Sequence, residues 1–226
     1  MALRPPDVAR LFTLGAAHPS WRGQVGTVTA LPSAVVSLPT GQVAACDPFV
    51  ELGDDVLPFA VLVEPGQYRV VLSVIETTDP ATTALRPDSR VAAAMLQISE
   101  EPAVGWELAL CDGQDEELGD TEFFGYGVDA GTGCFVDASA TIPLGDLVGD
   151  DGGEIAEALY AGPGLLPVAI TDPDSGNDVV VFRSGFGDGT YPTWVGRTAN
   201  GEVTSFVTEF FVVPQDSRGP IDEDNA

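Results

Sequence analysis

Apolar residues recur along this chain as short runs punctuated by glycine, proline and aspartate, and few of the runs have helical spacing. Alternation is clearest after Gly66, where Tyr68, Val70, Leu72 and Val74 share one face of a strand. With PFAVLV before it and an EPGQ bend whose Pro65 and Gly66 suit a type II turn, this stretch is a predicted hairpin. Strands are also predicted near Val35, in QVAACDPFVEL, RVAAAMLQISE, VGWELALC, LLPVAIT and VVVFRS, and in VTSFVTEFFVV, which Asn200-Gly201 joins to WVGR. Helical spacing is confined to residues 5–14, with Val8, Leu11 and Phe12 on one face, and to GEIAEALY at 153–160, which AGPG stops. IPLGDLVGD reads as a turn.

The most unusual stretch is FFGYGVDAGTGCFVD at 123–137, two apolar runs around a glycine-rich turn that carries Asp129, Thr132 and Cys134. It is predicted as strand, turn, strand, with Gly131 and Gly133 supplying the positive φ of a tight hairpin. A second unusual loop, GFGDGTYPTW, holds Asp188, Tyr191 and Trp194. The elements together predict a mainly β fold with minor α: antiparallel sheets, sandwich-like or as one strongly bent sheet, with one or two short helices. Residues 1–34 read as an irregular lead-in with a short helix, 35–213 as a single β-rich domain, and 214–226 as a disordered polar tail with no apolar face to bury.

Charge narrows the company this fold keeps. The 226 residues carry 35 Asp and Glu against 9 basic residues, all arginine, for a formal charge of −26. A hydrophobic fraction of 44% places that charge on a globular chain rather than on a disordered acidic one. A surface so negative repels phosphate backbones and anionic membranes, so neither nucleic acid nor membrane is an expected partner, whereas a cationic protein is. The start, MALRPPDVARLF, lacks the apolar core of a signal peptide, and no run reaches membrane-spanning length; a cytoplasmic protein is expected. LPTG at 38–41 lacks the extra residue and the anchor of a sorting signal. Three widely spaced cysteines, Cys46, Cys111 and Cys134, with His18 the single histidine, make no zinc pattern, and no metal or cofactor is expected. Their apolar surroundings suit small buried thiols in a reducing compartment.

The set LPTGQVAACDP, GYGVDAGTGCFVD, SGFGDGTYPTWVG and GEVTSFVTEFFVV resembles a bacterial family known only as a domain of unknown function, in which a GVDAGTGCF element precedes an SGWGDG-YP-WG element. The likeness covers roughly residues 35 to 213, and Phe186 stands where that family carries tryptophan. No activity follows from the resemblance.

Several chemistries meet in the glycine loops. VDAGTG has the form of a phosphate-wrapping hairpin, but that architecture needs a second glycine loop in a distant duplicated subdomain, and GFGDGT follows too closely. It also has the form of an aspartic-dyad turn with Asp129 and Asp188 as the pair, against which stand Ala130 in place of a hydroxyl residue and Phe186-Gly187 before Asp188. Cys134 as a nucleophile would need His18, which lies beside Pro19 in a segment expected to leave it exposed or capping. Pooling the loops gives a ligand site of Asp129, Thr132, Asp188, Tyr191 and Trp194, a small cleft with carboxylates and an aromatic wall. The alternative is that the second loop merely folds tightly, with Tyr191 and Trp194 in the core. Arg183 is expected to pair with a carboxylate, and DGQDEELGD at 112–120 to be a solvated acidic loop without calcium-loop spacing.

The leading expectation is a non-enzymatic binding or interaction domain whose acidic face engages a cationic protein, as an immunity or accessory factor would. The rival is a hydrolase or metal-dependent enzyme using Asp129 and Asp188. A structural component of a larger assembly is the third reading.

Overall fold

A computed structural model describes residues 3–20, 24–53, 56–77, 88–114, 118, 122–148, 153–161 and 165–214. In chain order its elements are α1 (Val8–Leu11), β1 (Ala17–Pro19), β2 (Val25–Ala30), β3 (Ser33–Leu38), β4 (Val43–Cys46), β5 (Gly66–Thr77), β6 (Asp88–Gln97) and β7 (Gly105–Leu108). There follow β8 (Tyr126–Val128), β9 (Thr132–Asp137), α2 (Thr141–Val148), α3 (Gly153–Ala161), β10 (Val168–Thr171), β11 (Asp178–Arg183), β12 (Gly189–Tyr191), β13 (Thr193–Arg197) and β14 (Val203–Glu209). The mainly β, antiparallel expectation holds. A large, strongly curled sheet runs β1-β2-β5-β6-β14-β13-β7 with β3 also on β5, a smaller sheet runs β10-β11-β9-β4, and β12 pairs with β8 alone. Among the described residues no helix is long and apolar enough to cross a membrane.

The smaller sheet is the middle layer, and its sequence shows why. On β4, β9 and β11, alternate residues face opposite ways. Val43, Ala45, Phe135, Val180 and Phe182 enter the core shared with the large sheet. Ala44, Cys46, Cys134, Val136, Val179 and Val181 enter a second core, closed by Leu144 and Val148 of α2 and by Ile155 and Leu159 of α3. Burial on both faces explains why VAAC and VVVF are unbroken apolar runs instead of alternating ones.

Four segments differ from expectation. The run PFAVLV is not a strand of a hairpin; it passes by single bridges, Phe59↔Cys111 and Leu62↔Gln42, and Val63 N donates to Gly41 O at 2.9 Å. Gly41 permits this at a φ of 73°, because a Cβ there would lie 1.9 Å from the Val63 carbonyl oxygen. Residues 141–148, read as a turn, are the helix α2: Pro143 sits in its first turn, and Gly145 lets Leu52 O come within 2.5 Å of where a Cβ would stand. The glycine that suggested a turn is there for close packing.

The segment before Val35 is no irregular lead-in beyond its short helix. β1 and β2 pair with each other, and β2 and β3 pair with successive stretches of β5. His18, expected to be exposed or capping, is buried in β1 with Nε2 at 3.2 Å from Arg10 O, and burial lowers its pKa.

The fourth difference concerns 123–137. β8 and β9 do not pair: β8 takes β12 as its partner, and β9 lies between β4 and β11. Only Gly131 of the turn has a positive φ, at 66°, so the chain crosses from one sheet to another instead of folding back. Gly133 is required for another reason, since a Cβ on it would lie 2.5 Å from Tyr126 Oη and 2.9 Å from Phe182. Most of the acidic loop at 112–120, and the expected disordered tail apart from Pro214, lie outside the described residues.

Candidate functional site

The VDAGTG turn is built on an aspartate that is distant in sequence. Strand β4 ends at Cys46, and the next residue, Asp47, is fully buried. Its Oδ2 accepts from Asp129 N at 2.9 Å and Ala130 N at 2.7 Å, and its Oδ1 accepts from Thr132 Oγ1 at 3.0 Å and Phe49 N at 3.0 Å. Hydrogen bonds to a charged acceptor are the strong ones, and a buried carboxylate is tolerated only when its lone pairs are filled in this way. The amides that a phosphate hairpin would aim at its anion are therefore spent on Asp47. The Thr132 hydroxyl, which in a dyad would steady Asp129, also belongs to Asp47.

The two glycine loops do meet. β8 and β12 pair Tyr126↔Tyr191, Gly127↔Thr190 and Val128↔Gly189. Continuing that register, Asp129 and Asp188 are the next facing positions, where the ribbon opens into its loops. Ser184 N donates to Gly131 O at 3.1 Å, and a Cβ on Gly131 would lie 3.6 Å from Gly187 Cα. Asp129 and Asp188 are both exposed, and neither carboxylate accepts a hydrogen bond or ion pair among the described residues.

The other members of the expected ligand set turn inward. Thr132, Tyr191 and Trp194 are buried. Tyr191 Oη donates to Gly187 O at 2.8 Å, tying its own loop, while its ring meets Phe210 edge-on at 5.1 Å between centroids. Burial, and then the Asp188 carboxylate, push this phenol up to about 12. The aromatic wall foreseen for a ligand is core. What the second loop exposes is Phe186, over whose ring the Arg90 guanidinium sits at 4.4 Å, with Arg90 Nη1 donating to Gly185 O at 3.3 Å. Arg90 thus pins the loop to β6.

Cys134 is fully buried, with its sulfur 3.6 Å from that of Cys46 across the β4–β9 ladder, and both are free thiols. Hydrogen-bonded contact with Cys134, then burial, push the Cys46 thiol well up, which suits a packed thiol and not a thiolate nucleophile. His18 is committed to the Arg10 carbonyl and offers Cys134 no base. Among the described residues no three His, Cys, Asp or Glu side chains gather as metal ligands.

A cleft of about 180 Å³ flanks β8, lined in part by Cys46, Glu51, Leu57, Phe59, Cys111 and Gly127. Glu51, the one carboxylate among its described lining residues, reaches to within 4.0 Å of the position a Cβ on Gly127 would take. Burial, and then the neighbouring Asp47, raise the Glu51 pKa. Tyr126 Oη is buried behind this strand without a partner in hydrogen-bond geometry; the Thr208 hydroxyl it approaches is engaged by Thr193 at 2.8 Å.

Sequence reasoning missed Asp47, Glu51 and Arg90 as members of this site. One signal for Asp47 was present: an acid directly after the apolar run VAAC, which is fully buried, must find donors or face outward. Nothing local ties Arg90 to this loop: its near partner is Asp88, at 3.0 Å, and the loop carbonyl it reaches, Gly185 O, lies 95 residues on.

Residues 36–208, most of the chain, match the model of a family described as protein of unknown function (DUF4241). The chain belongs to that family. No curated protein and no solved structure matches it.

Proposed function

We propose that this member of the DUF4241 family is a binding domain whose acidic face, centred on the β8–β12 ribbon, engages a cationic protein. The observation that carries the reading is the pair Asp129 and Asp188, like charges at facing positions of a ribbon, neither of which has an ion-pair partner among the described residues. Such an arrangement costs stability in the free protein, and a cationic partner relieves the repulsion. The whole-chain field acts in the same direction, because nine arginines leave most of thirty-five carboxylates unneutralised. The inward turn of the loop amides and of Thr132 supports binding over anion or dyad chemistry.

The test is to recover the partner at low salt from cells that make the protein, purify it, and measure affinity at rising ionic strength. A basic partner is expected, with affinity falling as salt rises and falling again in the Asp129→Asn/Asp188→Asn double variant but not in Asp174→Asn, an exposed acid of the β10–β11 turn. A partner whose affinity ignores salt, or which tolerates the double variant, would overturn the reading.

A further inference from the structure

The cleft beside β8 has a definite chemistry. Its walls include Val56, Leu57, Phe59 and Ala109, and its described lining contains no arginine or histidine. Glu51 therefore faces a partly apolar space without a hydrogen-bond or ion-pair partner among the described residues. Of the polar side chains in the lining, Cys111 Sγ donates to Leu57 O at 3.4 Å, Gln114 Oε1 accepts from Cys111 N at 2.9 Å, and Tyr126 Oη has no partner; none of them makes a hydrogen bond to Glu51. A cavity of about 150 Å³ holds one benzene ring, so a cleft of about 180 Å³ has room for one long side chain.

We propose, building on the cationic-partner reading, that this cleft is the anchor pocket for a single arginine side chain of the partner, with Glu51 receiving the guanidinium and Val56, Leu57 and Phe59 covering its methylene stem. A long basic side chain buries its stem against apolar surface while its head keeps a polar contact. Guanidinium is more weakly hydrated than ammonium and presents a planar fork to a carboxylate, so arginine gives up less on entry than lysine does. The raised pKa of Glu51 is what an unpaired carboxylate shows in such surroundings, and a bound cation would reverse it. Arginine anchors seated in desolvated pockets are also the residues that dominate binding energy at protein interfaces.

The cleft carries its own reporter. Cys111 lines it and is partly exposed, whereas Cys46 and Cys134 are buried. The rate of Cys111 alkylation by iodoacetamide, read by mass spectrometry, is measured with N-acetyl-arginine amide, its neutral isostere N-acetyl-citrulline amide, or N-acetyl-lysine amide. At about 10 mM probe, tenfold above a Kd of about 1 mM, the arginine amide is expected to slow alkylation about tenfold, with the other two clearly less effective. In Glu51→Gln, an exposed position whose fold is checked by thermal unfolding, protection by the arginine amide is expected to disappear. Equal protection by citrulline or lysine amide, or undiminished protection in Glu51→Gln, would overturn the anchor. The two readings separate in the purified partner. If only the anchor is wrong, salt dependence and Asp129/Asp188 sensitivity persist and Glu51→Gln changes nothing. If the cationic-partner reading is wrong, salt dependence is absent whatever the probes show.

Discussion

Strands β4 and β9 carry a buried aspartate at each end of their shared ladder, and the two are put to different uses. At one end Asp137 closes β9 opposite Val43; at the other Asp47 follows Cys46, which lies opposite Cys134. Each carboxylate takes four donors. Asp137 takes the amide and hydroxyl of Thr40 and the amide and hydroxyl of Ser139. Asp47 takes the amides of Phe49, Asp129 and Ala130 and the hydroxyl of Thr132. The donors of Asp137 belong to exposed residues, while Thr132 is buried and the loop it anchors bears the exposed Asp129. One end of the ladder is a clasp at the surface. The other is an internal fastening that shapes the proposed binding loop.

The largest effect expected from breaking this comparison is at Asp47. Asp47→Ala removes the acceptor from two loop amides and a buried hydroxyl, and water has poor access to replace it; the loss expected is on the order of 3–5 kcal/mol. Denaturant unfolding measures it, and amide exchange at Asp129 and Ala130 shows whether the loop opens first. At Asp137 the same truncation is expected to cost about 2–3 kcal/mol, because Thr40 and Ser139 can turn to solvent. Equal losses at both ends would remove the distinction.

Acid sharpens it further. Burial raises the Asp137 pKa, but hydrogen bonds from Ser139 and Thr40 outweigh burial and hold the carboxyl below its ordinary value. A carboxyl depressed by folding contributes stability that is present above the unfolded pKa, about 3.9, and lost as pH falls through the lower folded value. The stability gap between the parent protein and Asp137→Asn is therefore expected to be full at about pH 6 and to shrink steadily below about pH 4. A gap that stays constant into acid would show that the hydrogen bonds do not favour the ionised form.

Much of the architecture was legible because local chemistry decided it. The unbroken VVVF of β11 reads as a strand buried on both faces, Asn200-Gly201 marks the β13–β14 turn, and GEIAEALY forms α3. Pairing was legible only in part, because a period of two says which face a residue takes and not which strand lies beside it. So the meeting of the two glycine loops was anticipated, yet the β8–β12 pairing that brings them together was mistaken for a β8–β9 hairpin. Glycine was the most ambiguous letter. Gly131 is there for its φ, Gly133 and Gly145 for the close approach of Tyr126 and Leu52, and the sequence writes all three alike. Carboxylate partnerships were hidden for the same reason, since Asp47 and the loop it holds are separated by 82 or more residues.

The smallest effect, and the cleanest comparison, comes from the two threonines. Thr40→Val and Thr132→Val each delete one hydroxyl at nearly constant volume, leaving both carboxylates in place. Thr40 Oγ1 reaches Asp137 at 2.7 Å and Thr132 Oγ1 reaches Asp47 at 3.0 Å, so bond length alone would rank Thr40 the costlier loss. Solvent reverses that order. Beside exposed Thr40, water can take the vacated place on Asp137, and the expected loss is about 0.5–1 kcal/mol. At Thr132 a methyl group would face a buried carboxylate oxygen that then keeps only the Phe49 amide, and the expected loss is about 1–3 kcal/mol. Chemical denaturation of the two single variants and of the double gives the ranking, with additivity expected because the sites share no partner. Thr40→Val proving the costlier change would mean that hydrogen-bond length, and not exclusion of water, sets the strength of these two fastenings.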